Sequence, residues 1–460
     1  MKYFSTRDKS LKLSFKDIFL RGLAPDGGLF LPSEIKKYSE SDLKNLSKLS
    51  YIDLATEIIF NFCQSDIEKV QLKILIEKAY NNFKNKEVVE LKKVGNYNLL
   101  ELYNGPTLAF KDIAMQVIGN MYDYLEVSKD KVVNIIVATS GDTGAAAISA
   151  LNDRKNINVF VLHPHNKISN IQRKIMTTIG SNNIFNIAIE GSFDDCQKIV
   201  KEMFNENAFR EKINMSGVNS INWARIICQI VYYFYAVFKM DKKNISFSVP
   251  TGNFGDIYAG YIAKKMGLPI DKLIVATNEN DILQRVINTG EYRPDIVKPS
   301  LSPSMDIQIS SNFERLLFDI VDGDDKKVFS LMNDLTTKGF FKLDQKEIKI
   351  IKKDFCAEKI NDEETLNIIK KFYTQTKFVL DPHTATAFGA ANKTSDLSEI
   401  IILGTAHPYK FLETVKKATD IEVKAPSQLS NTVDKEERFD ILKNNISIIK
   451  NYILEKSTWR

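Results

Sequence analysis

Cysteine and histidine are scarce, with four of each in 460 residues. Cys63, Cys196, Cys228 and Cys356 lie far apart and form no CxxC pair. This spacing argues against a disulfide framework or a zinc site and predicts a reducing compartment, the cytoplasm. With so few histidines, metal chemistry has little to work with. Long apolar runs are also missing. The greasiest stretch runs only from Ile226 to Phe238 and contains Gln229. A membrane span needs about 20 residues, so this stretch is predicted as a buried helix. The first residues, MKYFSTRDKSLKLSF, mix charges among apolar side chains and show no signal-peptide core. No basic block stands out. The 63 basic and 58 acidic residues are interspersed and leave a net charge of +5, so no nucleic-acid footprint is expected. Neither a GxxxxGK[ST] loop nor a GxGxxG turn after a strand is present, which removes support for the two common nucleotide-binding readings.

The composition is globular, 44% apolar and 26% charged, and the length predicts two or three domains. Residues 39–86 have apolar positions at helical spacing (Leu43, Leu46, Leu49, Ile52, Leu54, Ile58, Ile59) and follow a compact turn segment, GLAPDGGLFLP. The middle of the chain changes rhythm. Strands are predicted at Val132–Thr139, Ile157–Leu162, Ile184–Ile189, Ile245–Val249, Leu273–Thr277 and Glu399–Leu403, with helices between them. This alternation predicts an α/β fold with mostly parallel sheets. The expected division is an N-terminal domain at 1–95, a large α/β domain at 96–130 and 240–460 with a solvated helical insertion at about 324–373, and a smaller α/β domain at 131–239.

Three segments share one design, a strand followed by a glycine-containing turn and a helix start. They are Ser140-Gly141-Asp142-Thr143-Gly144, Thr251-Gly252-Asn253-Phe254-Gly255-Asp256 and Gly404-Thr405-Ala406-His407-Pro408. In a parallel sheet all three open at the carboxyl edge of the strands, where ligands bind. Glycine lets backbone approach a ligand, and the following helix start offers free N–H groups to an anion. One such turn is common in α/β proteins and many bind nothing; three point to a ligand with more than one anionic group. The segment Gly105-Pro106-Thr107-Leu108-Ala109-Phe110-Lys111-Asp112 leads into a helix predicted to run from Ala109 to about Leu125. Lys111 in its first turn would have its charge opposed by the helix dipole. Its neighbours Leu108, Phe110, Ile113 and Ala114 suggest shelter. A sheltered, neutral lysine is what covalent capture of an aldehyde requires.

The blocks GPTLAFKDIAMQ, VATSGDTGAAA, NSINWARI, VPTGNFGDIYAG, PSMDIQISSNFERLLF and GTAHPYKF, with the N-terminal GLAPDGGLFLP, resemble those of the threonine synthase family in the same order, from about residue 3 to about residue 425. The resemblance implies the fold-type II architecture of pyridoxal 5'-phosphate (PLP) enzymes, similar to the tryptophan synthase β subunit. It also implies the conversion of O-phospho-L-homoserine and water to L-threonine and phosphate. Position by position it implies Lys111 as the Schiff-base lysine and catalytic base. Gly252, Asn253, Phe254 and Asp256 match the loop at the cofactor phosphate or ring, and Thr405 the hydroxyl facing the pyridine nitrogen. Ser140, Gly141, Asp142, Thr143 and Gly144 match the substrate-carboxylate loop. Many relatives of this fold carry Asn where this chain has Asp142. An ionised Asp142 would repel a carboxylate, so the gripping is assigned to Ser140, Thr143 and backbone N–H groups. Lys167, Arg225 (beside Asn222) and Arg315 are candidates for the substrate phosphate, against the plainer reading of ordinary ion pairs. His163 and His407 read as loop-structure residues, Trp223 as core, and Asp306 receives no role. A small-molecule substrate, no nucleic acid, no membrane, and a monomer or homodimer are expected. Two rivals remain at this point: a fold-type II dehydratase or β-replacement synthase, and a non-catalytic phosphometabolite-binding protein.

Overall fold

A computed structural model describes residues 1–457 except 85–86, 126–131, 241, 395–396, 398, 431 and 433–434. Two parallel sheets organise the chain. The larger has six strands in the order Phe355–Lys359, Ile270–Thr277, Ile245–Pro250, Glu399–Gly404, Tyr97–Glu101 and Glu90–Val94. All its pairings are parallel except the last, an antiparallel edge. The smaller has five strands in the order Asp440–Lys443, Ile184–Glu190, Ile157–Pro164, Val133–Ala138 and Met215–Ser216, all parallel.

Strand alternation explains how these sheets hold their covering layers. In the larger sheet Leu100, Val275 and Leu403 face the main core, while Leu99, Ile274 and Ile402 face an outer layer built from Phe372, Ala385 and Phe388. In the smaller sheet Ile135, Val159 and Val161 join the main core, and Ile136, Phe160 and Ile187 meet Cys196, Met203, Ile449 and Ile453. The main core therefore lies between the two sheets. It contains the helices Lys111–Leu125 and Trp223–Met240, the second of which covers the expected buried run.

The N-terminal segment packs on this frame. Tyr3–Ser5 pairs antiparallel with Asp8–Leu13 and Phe30–Pro32. The stretch predicted as helical divides into Glu40–Leu46, Tyr51–Cys63 and Lys69–Tyr80, with Ser39 and Ser50 capping the first two. Its expected end at Lys86 lies outside the described residues, as does the expected boundary at 130/131. Two features depart from the sequence reading. Phe355–Lys359, inside the segment read as a helical insertion, is a strand of the larger sheet pairing with Ile270–Thr277. Its five residues show no long apolar run, and tertiary pairing decides its conformation. The second is Asp440–Lys443, which pairs with Ile184–Glu190, so the C-terminal segment completes the smaller sheet. Among the described residues no helix is long and apolar enough to cross a membrane.

Candidate active site

The three glycine turns and the Lys111 segment meet at the carboxyl edges of the two sheets. The turn after Val133–Ala138 is folded by Thr139, whose Oγ1 accepts from the N–H groups of Gly141 and Gly144, each at 2.9 Å. Gly141 has φ +136°, where a side chain is strained, and a Cβ there would lie 2.9 Å from the Gln172 amide, which would have to shift. The turn after Ile245–Pro250 reaches helix Gly255–Lys265 through Phe254 at φ 62°. The turn after Glu399–Gly404 carries the lysine segment on its back. Phe110 N donates to Thr405 O at 2.9 Å, His407 N donates to Leu108 O at 3.1 Å, and Ala109 bridges Ala406. Lys111 is thus fixed at the first position of its helix by the same turn that presents Thr405. Asp112 points the other way and accepts from Thr107 N and Oγ1 at 2.8 and 2.7 Å.

The Lys111 residue is 9% exposed. Its Nζ donates to Asp142 Oδ2 at 3.2 Å and lies 3.5 Å from Ser304 Oγ. Burial holds this amine's proton affinity below the ordinary value, Asp142 opposes the fall, and Lys410 and Arg225 add to it. Desolvation is the largest cause of the fall. Asp142 serves two lysines at once, because Lys410 Nζ sits 2.6 Å from its Oδ1. Gln172 and Ser304 donate to the same carboxylate at 3.1 and 3.2 Å. Burial pushes Asp142 up, but Lys111 and Lys410 pull it well below the usual carboxylate range. Asp142 is therefore an anion engaged by cations, and the neighbouring Ser140 and Thr143 are half-buried, beside it at the start of the helix.

The structure sorts the remaining candidates. Gly252 and Asn253 are partly open, and a Cβ on Gly252 would stand 2.9 Å from Ser304 O and 3.2 Å from Met305 Cα. The Phe254 ring packs on Phe313 and Phe355, so this residue gives the loop its left-handed backbone and faces away from the opening. Asp256 accepts from Tyr232 and Tyr233 hydroxyls at 2.5 and 2.9 Å, and burial pushes it up to about 6. Arg225 is 3% exposed and donates through Nη1 to Val218 O at 3.3 Å. Its Nε has no partner among the described residues, and burial lowers its pKa to about 10. A buried guanidinium in this state lacks an anion.

Asn222, Arg315 and Lys167 have other surroundings than the substrate role expected of them. Asn222 donates to Phe19 O at 2.9 Å and accepts from Ala224 N at 3.0 Å, capping its helix. Arg315 donates to Phe30 O, Ile221 O and Asn312 Oδ1, which staples the N-terminal strand to the site wall. Lys167 is exposed in the turn after Ile157–Pro164. His407 caps Tyr409 N through Nδ1 and His163 is buried, each with burial lowering its pKa to about 4. Asp306 gains a role: it accepts from Ser300 N and Oγ, Asn278 and Asn280, and so shapes the loop that carries Ser304.

Four contributors were not singled out from sequence. Lys410 lies within GTAHPYKF, where a 3-10 turn, Pro408–Phe411, swings it inward. Ser304 lies in PSMDIQ and Gln172 in the helix Asn170–Thr177. His383 accepts from Ser304 N at 3.2 Å through Nε2, so its Nδ1 carries the proton shared with Asp381 at 3.0 Å. The only sequence signal for His383 was Asp-Pro at a helix start.

A buried lysine with depressed proton affinity, beside glycine turns and a buried guanidinium, is a set of groups suited to an anionic aldehyde. Residues 87–341 match the pyridoxal-phosphate dependent enzyme family, and the fold is fold type II, with PLP as cofactor. Residues 2–80 and 384–453 match the N-terminal and C-terminal models of threonine synthase. A curated threonine synthase of Pseudomonas aeruginosa is 42% identical over 98% of both chains, and one of Saccharomyces cerevisiae is 45% identical over 90% of this chain and 88% of its own. The crystal structure of a PLP-bound threonine synthase from Brucella melitensis superimposes with a TM-score of 0.95, at 42% identity and covering 100% of each chain. The chain belongs to the threonine synthase family. A threonine deaminase from Solanum lycopersicum, at 12% identity and TM-score 0.51, shares the fold alone.

Proposed function

We propose that the protein is a PLP-dependent lyase that converts O-phospho-L-homoserine and water to L-threonine and phosphate, by γ-elimination of phosphate and β-addition of water. One observation carries the reading. Lys111 Nζ is buried with weakened proton affinity, within 3.2 Å of an ionised carboxylate and beside the glycine turns. The residues fit the cofactor. Lys111 would hold its aldehyde, the backbone of Gly252 to Gly255 its phosphate, and Thr405 would face its ring nitrogen. When bound, PLP supplies the electron sink that acidifies the substrate's carbon-bound hydrogens. Lys111 in its neutral form accepts the Cα proton and then a Cβ proton, two transfers that one mobile amine can reach. Ser140, Thr143 and the N–H groups at the start of helix Asp142–Leu151 bind the substrate carboxylate, and Arg225 binds its phosphate.

The unpaired Arg225 favours this over a dehydratase, which acts at Cβ and needs no second phosphate pocket. Incubation with phosphohomoserine is expected to release phosphate and threonine in equal amounts. Incubation with threonine is expected to give no 2-oxobutanoate; the reverse pattern would replace the reading with a dehydratase. Lys111→Ala should lose the visible absorbance of the covalently held cofactor and nearly all turnover.

The sheet pairings support a division in which residues 440–457 belong with the smaller α/β domain of 131–239, and the rest of 240–439 with the larger. The four free cysteines support a cytoplasmic location. The protein acts as a monomer or homodimer; light scattering distinguishes them.

A further inference from the structure

Two lysines share one carboxylate in the floor of the site, and only Lys111 has a chemical task in the reading above. Lys410 comes from a different element, the 3-10 turn Pro408–Phe411. Its side chain is 0% exposed, its Nζ meets Asp142 Oδ1 at 2.6 Å, and it donates to Thr107 O at 3.0 Å. Lys111 meets the opposite oxygen of Asp142 at the longer distance of 3.2 Å. We propose that Lys410 is a positioning residue for the reaction: it claims the far oxygen of Asp142, leaves Lys111 the longer contact with that carboxylate, and by its own charge disfavours a proton on the Lys111 amine.

The geometry separates the roles of the two amines. Lys410 has two protein acceptors, Asp142 Oδ1 and Thr107 O, on a side chain with no exposure. Lys111 has the weaker hold on the shared anion and one hydroxyl contact, to Ser304 at 3.5 Å. Two ammonium groups cannot both be fully compensated by one carboxylate in a desolvated site, and Lys111, with the longer contact, is the less well compensated of the two. The other charged groups facing Lys111 do not upset this order. Arg225, from helix Trp223–Met240, adds positive charge and lowers the amine further. Asp256, from helix Gly255–Lys265, is held by two tyrosines. His383 acts on Asp142, and Asp112 on the lysine's own helix turns to Thr107. Lys410 also lowers Asp112, so its charge is shared between two carboxylates.

Removing Lys410 should give Asp142 wholly to Lys111 and raise that amine's proton affinity. The inference concerns the lysine that the proposed function makes catalytic, yet its test needs no turnover. The full-length chain is stripped of cofactor and labelled with trace acetic anhydride across a pH series. Acetylation of Lys111 is followed by peptide mass spectrometry. Lys410→Met is expected to move the labelling midpoint of Lys111 upward by about one to two pH units. Lys410→Arg, which keeps the charge, should return it to near the wild-type value. Asp142→Asn tests the same network without touching Lys410 and should move the midpoint down. An unchanged midpoint in Lys410→Met, equal shifts in the Met and Arg variants, or an upward shift in Asp142→Asn would each overturn the proposal. Failure of the PLP reading would show separately, as wild-type protein with no visible absorbance after addition of PLP.

Discussion

The Arg225 guanidinium is 3% exposed, with one backbone hydrogen bond and an Nε that has no partner among the described residues, a setting suited to an anion. Arg225→Ala is expected to raise the KM for phosphohomoserine by about 10- to 100-fold, as loss of a charge-assisted contact of roughly 1.5–3 kcal/mol implies. Cofactor absorbance should persist, and steady-state kinetics beside a spectrum checks both. Sequence placed Arg225 and Arg315 as equals because both are arginines in family-like blocks. The structure separates them by their partners: Arg315 is consumed by Phe30, Ile221 and Asn312, and no pattern of residue types reveals that. Lys111 was legible because its neighbours are apolar and its block distinctive. Lys410 was not, because what makes it matter is the 2.6 Å contact to a residue 268 positions earlier in the chain (410 − 142).

At the scale of the element, the parallel strands were readable from short β-branched runs, three of them followed by glycine-containing turns, and the six predicted strands stand within a few residues of their expected places. Phe355–Lys359 was not readable, since an edge strand with mixed polarity depends on the neighbour it pairs with. The turns themselves are spatially constrained. At Gly252 a Cβ would press on the backbone of Ser304 and Met305, and neither can move without shifting the Asp306-centred loop that sets Ser304 beside Lys111. Gly252→Ala is therefore expected to weaken PLP binding at least about tenfold and to lower stability by ~1–3 kcal/mol. Cofactor titration and thermal unfolding would report the two effects.

For the whole molecule, acid acts on buried groups of opposite sign. His163 and His407 have folded values of about 4, below the ordinary 6.5. The unfolded chain takes up their protons first, so they cost stability as pH falls from about 6.5 toward 4. Asp112 and Asp256 have folded values of about 6, above the ordinary 3.8. The folded chain takes up their protons first, so they add stability over nearly the same window. These contributions offset. Asp256→Asn removes one of the stabilising ones: relative to wild type the variant should lose ground on going from pH 6.5 to 4.5, by about 1–3 kcal/mol. Thermal melts at the two pH values decide it. An unchanged difference would mean that Asp256 does not titrate there.

The pairing of Asp440–Lys443 with Ile184–Glu190 has a consequence for synthesis. The larger sheet can gather its last strand by Gly404, whereas the smaller one waits for Asp440–Lys443, and Ile449 and Ile453 must then cover Ile187. Until those residues leave the ribosome, a row of unsatisfied amides and carbonyls stays open on one side, a template for unwanted partners. The smaller sheet, whose strand Val133–Ala138 leads into the Asp142 turn, is thus completed after the larger one.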